Sequence, residues 1–253
     1  MPDLSAVELI DILPFIAIGF AAQLVDGALG MAFGVISTTM LMGFGTSPQA
    51  ASASVHAVEI FTTGASGLSH SFHRNVDWRL FLRIAIPGVI GGCLGAYALV
   101  WAGENARPFV LAYLAAVGFY LLWRGLTHGH QERAPRVVEP LGLVGGFLDA
   151  SGGGGWGPIV TSNLLIQGMS PRKVIGTVNT AEFLVTLAIS ATFLVALGPE
   201  AFTLVTLGLL IGGVAAAPIG GYVAKRVEAR RLLLVVAVVL LITSLYGLYR
   251  AVA

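Results

Sequence analysis

The stretch Asp149-Ala-Ser-Gly-Gly-Gly-Gly-Trp-Gly157 decides how the chain folds, because it puts four consecutive glycines inside an apolar region. An earlier stretch, Asp26-Gly-Ala-Leu-Gly-Met-Ala-Phe-Gly34, has the same leading aspartate and glycines at the same fifth and ninth positions. Glycine adopts backbone conformations that other residues avoid, and it weakens a helix that contains it. Both stretches therefore predict a helix that is interrupted near its middle.

The composition around these stretches is that of a membrane protein. Of the 253 residues, 56% are hydrophobic and only 11% are charged, which is less than half of the roughly 25% typical of soluble domains. Charge-free windows recur along the chain, and most have the length of about 20 residues that one crossing of the hydrocarbon requires. The composition excludes a soluble enzyme, a nucleic-acid binder and a disordered chain. It predicts an all-α polytopic membrane protein.

The two glycine-rich stretches belong to an internal repeat. Residues 19–63 align with residues 142–186 at a shift of 123 positions without a gap, and 13 of the 45 aligned positions are identical. A biased apolar composition does not explain identical acidic and Ser-Pro positions, such as Asp26/Asp149, Glu59/Glu182 and Ser47/Ser170. The sequence therefore indicates a duplication.

The distribution of Lys and Arg predicts that the two halves have opposite orientations in the membrane. We expect a first repeat over residues 1–126, a cytoplasmic linker over 127–139 and a second repeat over 140–253. Each repeat would contain a Gly-rich broken helix or hairpin and three transmembrane helices. Lys and Arg favour the cytoplasmic side. If each glycine-rich segment enters and returns on one side, 12 of the 14 Lys and Arg lie inside, whereas eight simple crossings divide them seven to seven. Both termini are then expected outside.

Broken helices in inverted repeats are the architecture of secondary transporters. A helix that begins inside the membrane offers its first N–H groups and the positive end of its dipole to an anion. We expect such a cradle in the second copy, with hydroxyl donors beside it; its residues are Gly152, Gly153, Gly154, Gly155, Ser151, Thr161 and Ser162. The first copy offers Gly27 and Gly30. The alternative is that these glycines only allow close helix packing.

Polar residues after each glycine-rich segment form matching stripes. His56, Glu59 and Thr63 share one helical face, and Asn179, Glu182 and Thr186 repeat the pattern. Ionisable groups at membrane depth are costly and mark function by default. His56 would relay a proton or donate to an anion. Glu59 and Glu182 would carry a proton or, alternatively, stay neutral and bond to the broken backbone. Asp26 and Asp149 would cap a helix or contact the ligand.

Three motifs together resemble the TauE/SafE family of sulfite exporter-like permeases. They are Leu24-Val-Asp-Gly-Ala-Leu-Gly-Met-Ala-Phe-Gly34, His56-Ala-Val-Glu-Ile-Phe-Thr-Thr-Gly-Ala-Ser66 and Asp149-Ala-Ser-Gly-Gly-Gly-Gly-Trp-Gly-Pro158. The resemblance covers nearly the whole chain and both halves. It implies a bacterial or archaeal inner-membrane transporter, usually linked to the export of sulfite, sulfonates or related small sulfur-containing anions.

Our first hypothesis is a proton-coupled secondary transporter that exports a small anion. The anion would be held by the glycine cradle with Ser151, His56, Thr177 and Asn179, and the proton by Glu59 and Glu182. The second hypothesis is a cation or divalent-metal transporter that uses the acids and His56 as ligands. The third is an intramembrane aspartyl hydrolase that uses Asp26 and Asp149, although a capping role explains both. The expected partners are a small anion and the lipid bilayer, with a homodimer left open. We expect no enzyme activity, cofactor, resident metal or nucleic acid.

Overall fold

The computed structural model describes residues 9–29, 31–127, 135–167, 169–226 and 229–252, and all regular elements within these ranges are helices. The helices are α1 (Leu9–Leu29), α2 (Phe33–Gly43), α3 (Pro48–Phe72), α4 (Trp78–Ala102), α5 (Arg107–Leu126), α6 (Glu139–Gly152), α7 (Ser162–Ile166), α8 (Pro171–Leu197), α9 (Leu204–Arg226) and α10 (Ala229–Val252). One turn of π-helix, Gly157–Thr161, leads into α7. The all-helical prediction is confirmed for the described residues.

The helices of the first half recur in the second half at the shift found in the sequence. The pair α1–α2 corresponds to α6–α7, and α3, α4 and α5 correspond to α8, α9 and α10. Contacts between helices follow the same correspondence, because α1 packs on α9 as α6 packs on α4. The helices α3 and α8 pack on each other, and so do α5 and α10. The interruptions between α1 and α2 and between α6 and α7 fall in the two glycine-rich stretches, as predicted.

The equivalent helices α3 and α8 run antiparallel to each other. Gly64 of α3 lies against Phe183, whereas Gly67, further along α3, lies against Thr180, which comes earlier in α8. Contacts that advance along one helix while they retreat along the other define an antiparallel pair. The contacts of α5 with α10 follow the same order.

Glycines allow the parallel helices α4 and α6 to pack with their backbones in contact. A Cβ atom on Gly142 would overlap the carbonyl oxygen of Ile84, and one on Gly95, further along α4, would overlap the carbonyl oxygen of Phe147, further along α6. Small residues spaced four apart on one face permit this close approach between membrane helices. These glycines therefore serve packing and lie apart from the interruptions.

Apolar side chains cover the outside of the bundle. Along α4, exposed apolar residues recur every three or four positions and therefore share one face; they are Leu82, Ile86, Ile90, Leu94, Tyr97 and Trp101. The stretches Trp78–Leu126 and Arg172–Leu197 are long and apolar enough to cross a membrane, and shorter apolar stretches lie in α1, α2, α9 and α10. A continuous exposed apolar face of this kind suits contact with lipid rather than with water.

Basic residues at the start of α8 meet the loop between α3 and α4 at one end of the bundle. The guanidinium of Arg172 donates to Oδ1 of Asn75 (2.5 Å), and the ammonium of Lys173 donates to the carbonyl oxygen of Arg74 (3.1 Å). The first turn of α8 is thereby fixed to the loop between α3 and α4. We call this the basic end of the bundle.

The segment from α6 to α7 enters and returns at the basic end. The side chain of Gln167, which follows α7, accepts the N–H of Val137 and donates to its carbonyl oxygen, both at 3.1 Å. At the opposite end, Arg107 donates to the carbonyl oxygen of Thr46 (3.0 Å) in the loop after α2. Both ends of the segment from α6 to α7 therefore lie close together.

Candidate functional site

The interruptions of the two broken helices meet at a small central cavity. Its wall contains the carboxyl groups of Asp26, Glu59, Asp149 and Glu182. The cavity offers about 10 Å³ to the centres of water molecules, which is room for about one water. Glu59 and Asp149 are buried, whereas Asp26 and Glu182 are partly buried. The structure thus places both pairs of acidic residues that are equivalent in the internal repeat in the wall of one cavity.

The two aspartates cap the helices that begin after the interruptions. In each half, Oδ1 accepts the N–H groups six and seven residues later: Ala32 (2.7 Å) and Phe33 (3.1 Å) for Asp26, and Gly155 (2.7 Å) and Trp156 (2.9 Å) for Asp149. A carboxylate at this place satisfies the first unpaired donors of a helix and complements its dipole. The capping alternative considered from the sequence is therefore what the geometry shows.

The amides of the glycine run bond to Asp149 instead of facing the cavity. The N–H groups of Gly153 and Gly154 donate to the carbonyl oxygen of Asp149, the latter at 2.8 Å, while that of Gly155 donates to its carboxylate. Gly153 and Gly154 have φ angles of 71° and 134°, conformations that favour glycine. The expectation of bare amide donors therefore does not hold in this conformation, because Asp149 already accepts them.

His56 is buried against Asp149, with 3.2 Å between its Nε2 and Oδ2 of the carboxyl group. Its Nδ1 lies 2.7 Å from the carbonyl oxygen of Ser52, which can only accept, so Nδ1 carries a hydrogen. The Nε2–Oδ2 contact then requires one shared proton. The hydroxyl of Ser52 donates to the carbonyl oxygen of Ala150 (2.7 Å), which fixes α3 to the end of α6. His56 and Asp149 therefore hold a proton beside the cavity.

The two halves differ at the position of His56. Its counterpart Asn179 donates to Oγ of Ser66 at 3.0 Å and lies between α8 and α3. The cavity wall includes Glu182 but not Asn179. Both halves therefore supply matching acidic residues to the site, whereas only the first half supplies a histidine next to it.

Other predicted ligands lie away from the central cavity. Thr177 accepts the N–H of Asp77 (2.8 Å) at the start of α4, near the basic end. The hydroxyl of Ser151 donates to the carbonyl oxygen of Phe147 (2.6 Å) within α6. Neither side chain lies in the cavity wall.

The sequence also predicts Gly27, Gly30 and Gly152 as ligands of the anion. Gly27 lies in the last turns of α1, and Gly30 lies outside the described residues. Gly152 ends α6 and lines an open groove between α4, α5 and α6, together with Ser151. Among the described residues, the glycines that line the central cavity are Gly34, Gly155 and Gly157.

Sequence reasoning missed two residues of α5. The ring of Tyr113 covers the glycine run, because a Cβ on Gly152 or Gly155 would overlap it. Arg124 donates to the hydroxyl of Ser162, where α7 begins. The alignable repeat ends before α5, and the positions equivalent to Tyr113 and Arg124 are a valine and a glycine. No repeat pattern could therefore have indicated them.

Removing the carboxylate of Asp149 is expected to destabilise the protein more than removing that of Asp26. Either substitution to alanine leaves two helix N–H groups without their acceptor, at about 1–3 kcal/mol for each buried group. Asp149→Ala also deprives buried His56 of its partner. Thermal unfolding in detergent measures the difference, with Glu104→Ala in the exposed turn between α4 and α5 as the control. An equal or smaller loss for Asp149→Ala would contradict the geometry.

The described residues form an all-helical bundle with an apolar outer surface and a small acidic cavity between two interrupted helices, which is consistent with a membrane protein. The chain matches the family described as Sulfite exporter TauE/SafE over residues 15–247, and it belongs to this family. It is 44% identical over 222 residues to the Probable membrane transporter protein YtnM of Bacillus subtilis (strain 168). The alignment covers 84% of this chain and 74% of that protein. No solved structure matches the chain. The resemblance seen in the motifs is confirmed, and the protein is a multi-pass membrane transporter.

Proposed function

We propose that the protein is a secondary transporter that exports a small sulfur-containing anion, such as sulfite or a short sulfonate, in a proton-coupled cycle. The family description names sulfite export. The observation that carries the proposal is the central cavity, where the interrupted helices of both halves meet four carboxyl groups, one of which is paired with His56. Glu59 and Glu182 are the proposed proton carriers.

The two repeats, 1–126 and 140–253, are oppositely oriented in this proposal, with the linker 127–139 on the cytoplasmic side. The antiparallel packing of equivalent helices, α3 with α8 and α5 with α10, supports this orientation. The basic end corresponds to the cytoplasmic side because Lys and Arg favour it. Both chain termini then lie outside the cell membrane of a bacterium or archaeon.

Charge balance explains why an anion enters this cavity only with protons. Asp26 and Asp149 are each offset in part by the start of a helix, which carries roughly half a positive charge, and Asp149 also faces His56. Glu59 has a different environment, because its buried Oε2 lacks a hydrogen-bond partner among the described residues. An ionised Glu59 beside an anion would be a costly unpaired charge. Protonation of Glu59 and Glu182 therefore accompanies binding of the anion.

Transport also requires that the cavity widens. Room for about one water does not hold a sulfite ion, which has four heavy atoms. Relative movement of two repeats around a fixed central site is the usual means of alternating access in this architecture. The broken helices are the elements whose separation would open the cavity.

Uptake of labelled sulfite into proteoliposomes tests the proposal. A pH gradient with sulfite on the acidic side is expected to drive accumulation, and a protonophore is expected to abolish it. Empty liposomes control for passive permeation of protonated sulfite. Thermal-shift measurements with sulfite, sulfate, thiosulfate, short sulfonates and divalent metals identify the ligand, since binding to the native state raises stability. Stabilisation by a metal and by none of the anions would favour the cation alternative and defeat the proposal.

A further inference from the structure

We propose that Arg124, with the hydroxyl groups of Ser162 and Tyr120, binds the substrate anion at the basic end before it passes Met31 into the central cavity. This inference rests on the proposed function, since it assigns an entry site to the same anion. It concerns α5, which the repeat motifs do not include.

Arg124 lies one side chain away from the central cavity. Its Nη1 donates to the hydroxyl of Ser162 and lies 4.0 Å from the sulfur of Met31. The same sulfur lies 3.8 Å from Oγ of Ser162. Met31 belongs to the first interruption and forms part of the cavity wall. Methionine is unbranched and flexible, so rotation of this one side chain would connect Arg124 to the cavity.

The positive charge of the Arg124 guanidinium is available to bind an anion. It is partly buried and forms no ion pair with a carboxylate among the described residues, unlike Arg83 and Arg107. A guanidinium presents five N–H donors in a planar fork that matches the oxygens of an oxyanion. Tyr120 lies one helical turn earlier on α5, and its buried hydroxyl has no hydrogen-bond partner among the described residues. The cluster therefore combines one positive charge with two hydroxyl donors.

The cluster exists in one half of the molecule only. The position equivalent to Arg124 is Gly247, and the position equivalent to Met31 is Gly154. The second half keeps the helix equivalent to α5 without an arginine there, so the duplicated fold does not require the guanidinium. A site on one side of the cavity suits recognition of the anion at one end of the transport path. Basic residues at that end, such as Arg74 and Arg172, would raise the local anion concentration.

Uptake kinetics of sulfite in proteoliposomes test the assignment. Arg124→Gln is expected to raise KM by at least about tenfold, equivalent to about 1.4 kcal/mol of binding, with kcat changed by less than about twofold. Arg124→Lys is expected to recover part of the loss, because it keeps the charge but not the fork. Arg79→Gln is the matched control, because Arg79 is exposed at the same end but outside the cluster, and it should change KM far less than Arg124→Gln does.

A second variant protects the test against misfolding. Ser162→Ala removes one donor with little change in size and is expected to raise KM about threefold. Thermal unfolding of each variant shows whether the fold is intact. An unchanged KM in folded Arg124→Gln, or in Ser162→Ala if Arg124→Gln does not fold, overturns the assignment. A wild-type protein that transports none of the anions defeats the proposed function itself.

Discussion

Replacing Glu59 with glutamine is expected to abolish accumulation of sulfite driven by a pH gradient while the exchange of internal for external sulfite persists. Glutamine has the shape of a protonated glutamate but cannot release a proton. The variant is therefore fixed in the state that we assign to the anion-bound transporter. Glu59 lies in the cavity wall beside the close contact of Gly34 with Gly154. Paired measurements of driven uptake and of exchange in the same proteoliposomes separate the two activities.

Two companion variants make the Glu59 result specific. Glu182→Gln changes the equivalent acid of the second half and is expected to impair driven uptake as well, since both carboxyl groups line the cavity. Glu104→Gln removes an exposed acid in the turn between α4 and α5 and should leave both activities unchanged. Retention of pH-driven accumulation by Glu59→Gln would remove Glu59 from the proton pathway.

The sequence was sufficient to predict the acidic residues of the site, because the duplication marks them. Asp26 with Asp149 and Glu59 with Glu182 are identical pairs in a gapless alignment, and the structure brings all four to one cavity. The interrupted helices could be predicted for the same reason, since both interruptions contain glycine at equivalent positions.

The occupation of the glycine amides could not be predicted from the same pattern. Sequence shows that Asp149 precedes the glycines, but the carboxylate reaches N–H groups six and seven residues later. An ordinary N-cap residue bonds two or three residues ahead. The longer reach depends on how the chain folds back after α6, through the positive φ angles of Gly153 and Gly154.

The misplacement of Thr177 has a simple geometric cause. Thr177 and Asn179 are two positions apart, and such residues point to different sides of a helix. Asn179 faces Ser66 of α3, whereas Thr177 faces the start of α4. Helical spacing measured from Glu182 would have excluded Thr177, because five positions do not return to the same face.

A methyl group at Gly154 is expected to prevent the two broken helices from assembling. Gly154 has φ of 134°, which residues with a side chain rarely adopt. Its added Cβ would also overlap the backbone of Gly34 and Val35 at the start of α2. Overlap with backbone cannot be relieved by a change of rotamer, so we expect a loss of about 3 kcal/mol or more. The yield of monodisperse protein in detergent and its melting temperature measure the effect of Gly154→Ala.

Gly154 lies where the two interrupted helices touch, and an equivalent contact occurs a second time in the molecule. We therefore expect a substitution at Gly154 to destabilise the protein more than substitutions at other glycines. A Cβ built on Gly34 would lie 2.9 Å from the Cα of Gly154, and a Cβ built on Gly157 would lie 2.6 Å from the Cα of Met31. These two contacts are equivalent under the shift of 123 residues. Gly43→Ala is the matched control, because a Cβ there meets nothing within 4 Å. Equal stability of Gly154→Ala and Gly43→Ala would mean that the two helix interruptions do not touch. The two interruptions could then not enclose the central cavity.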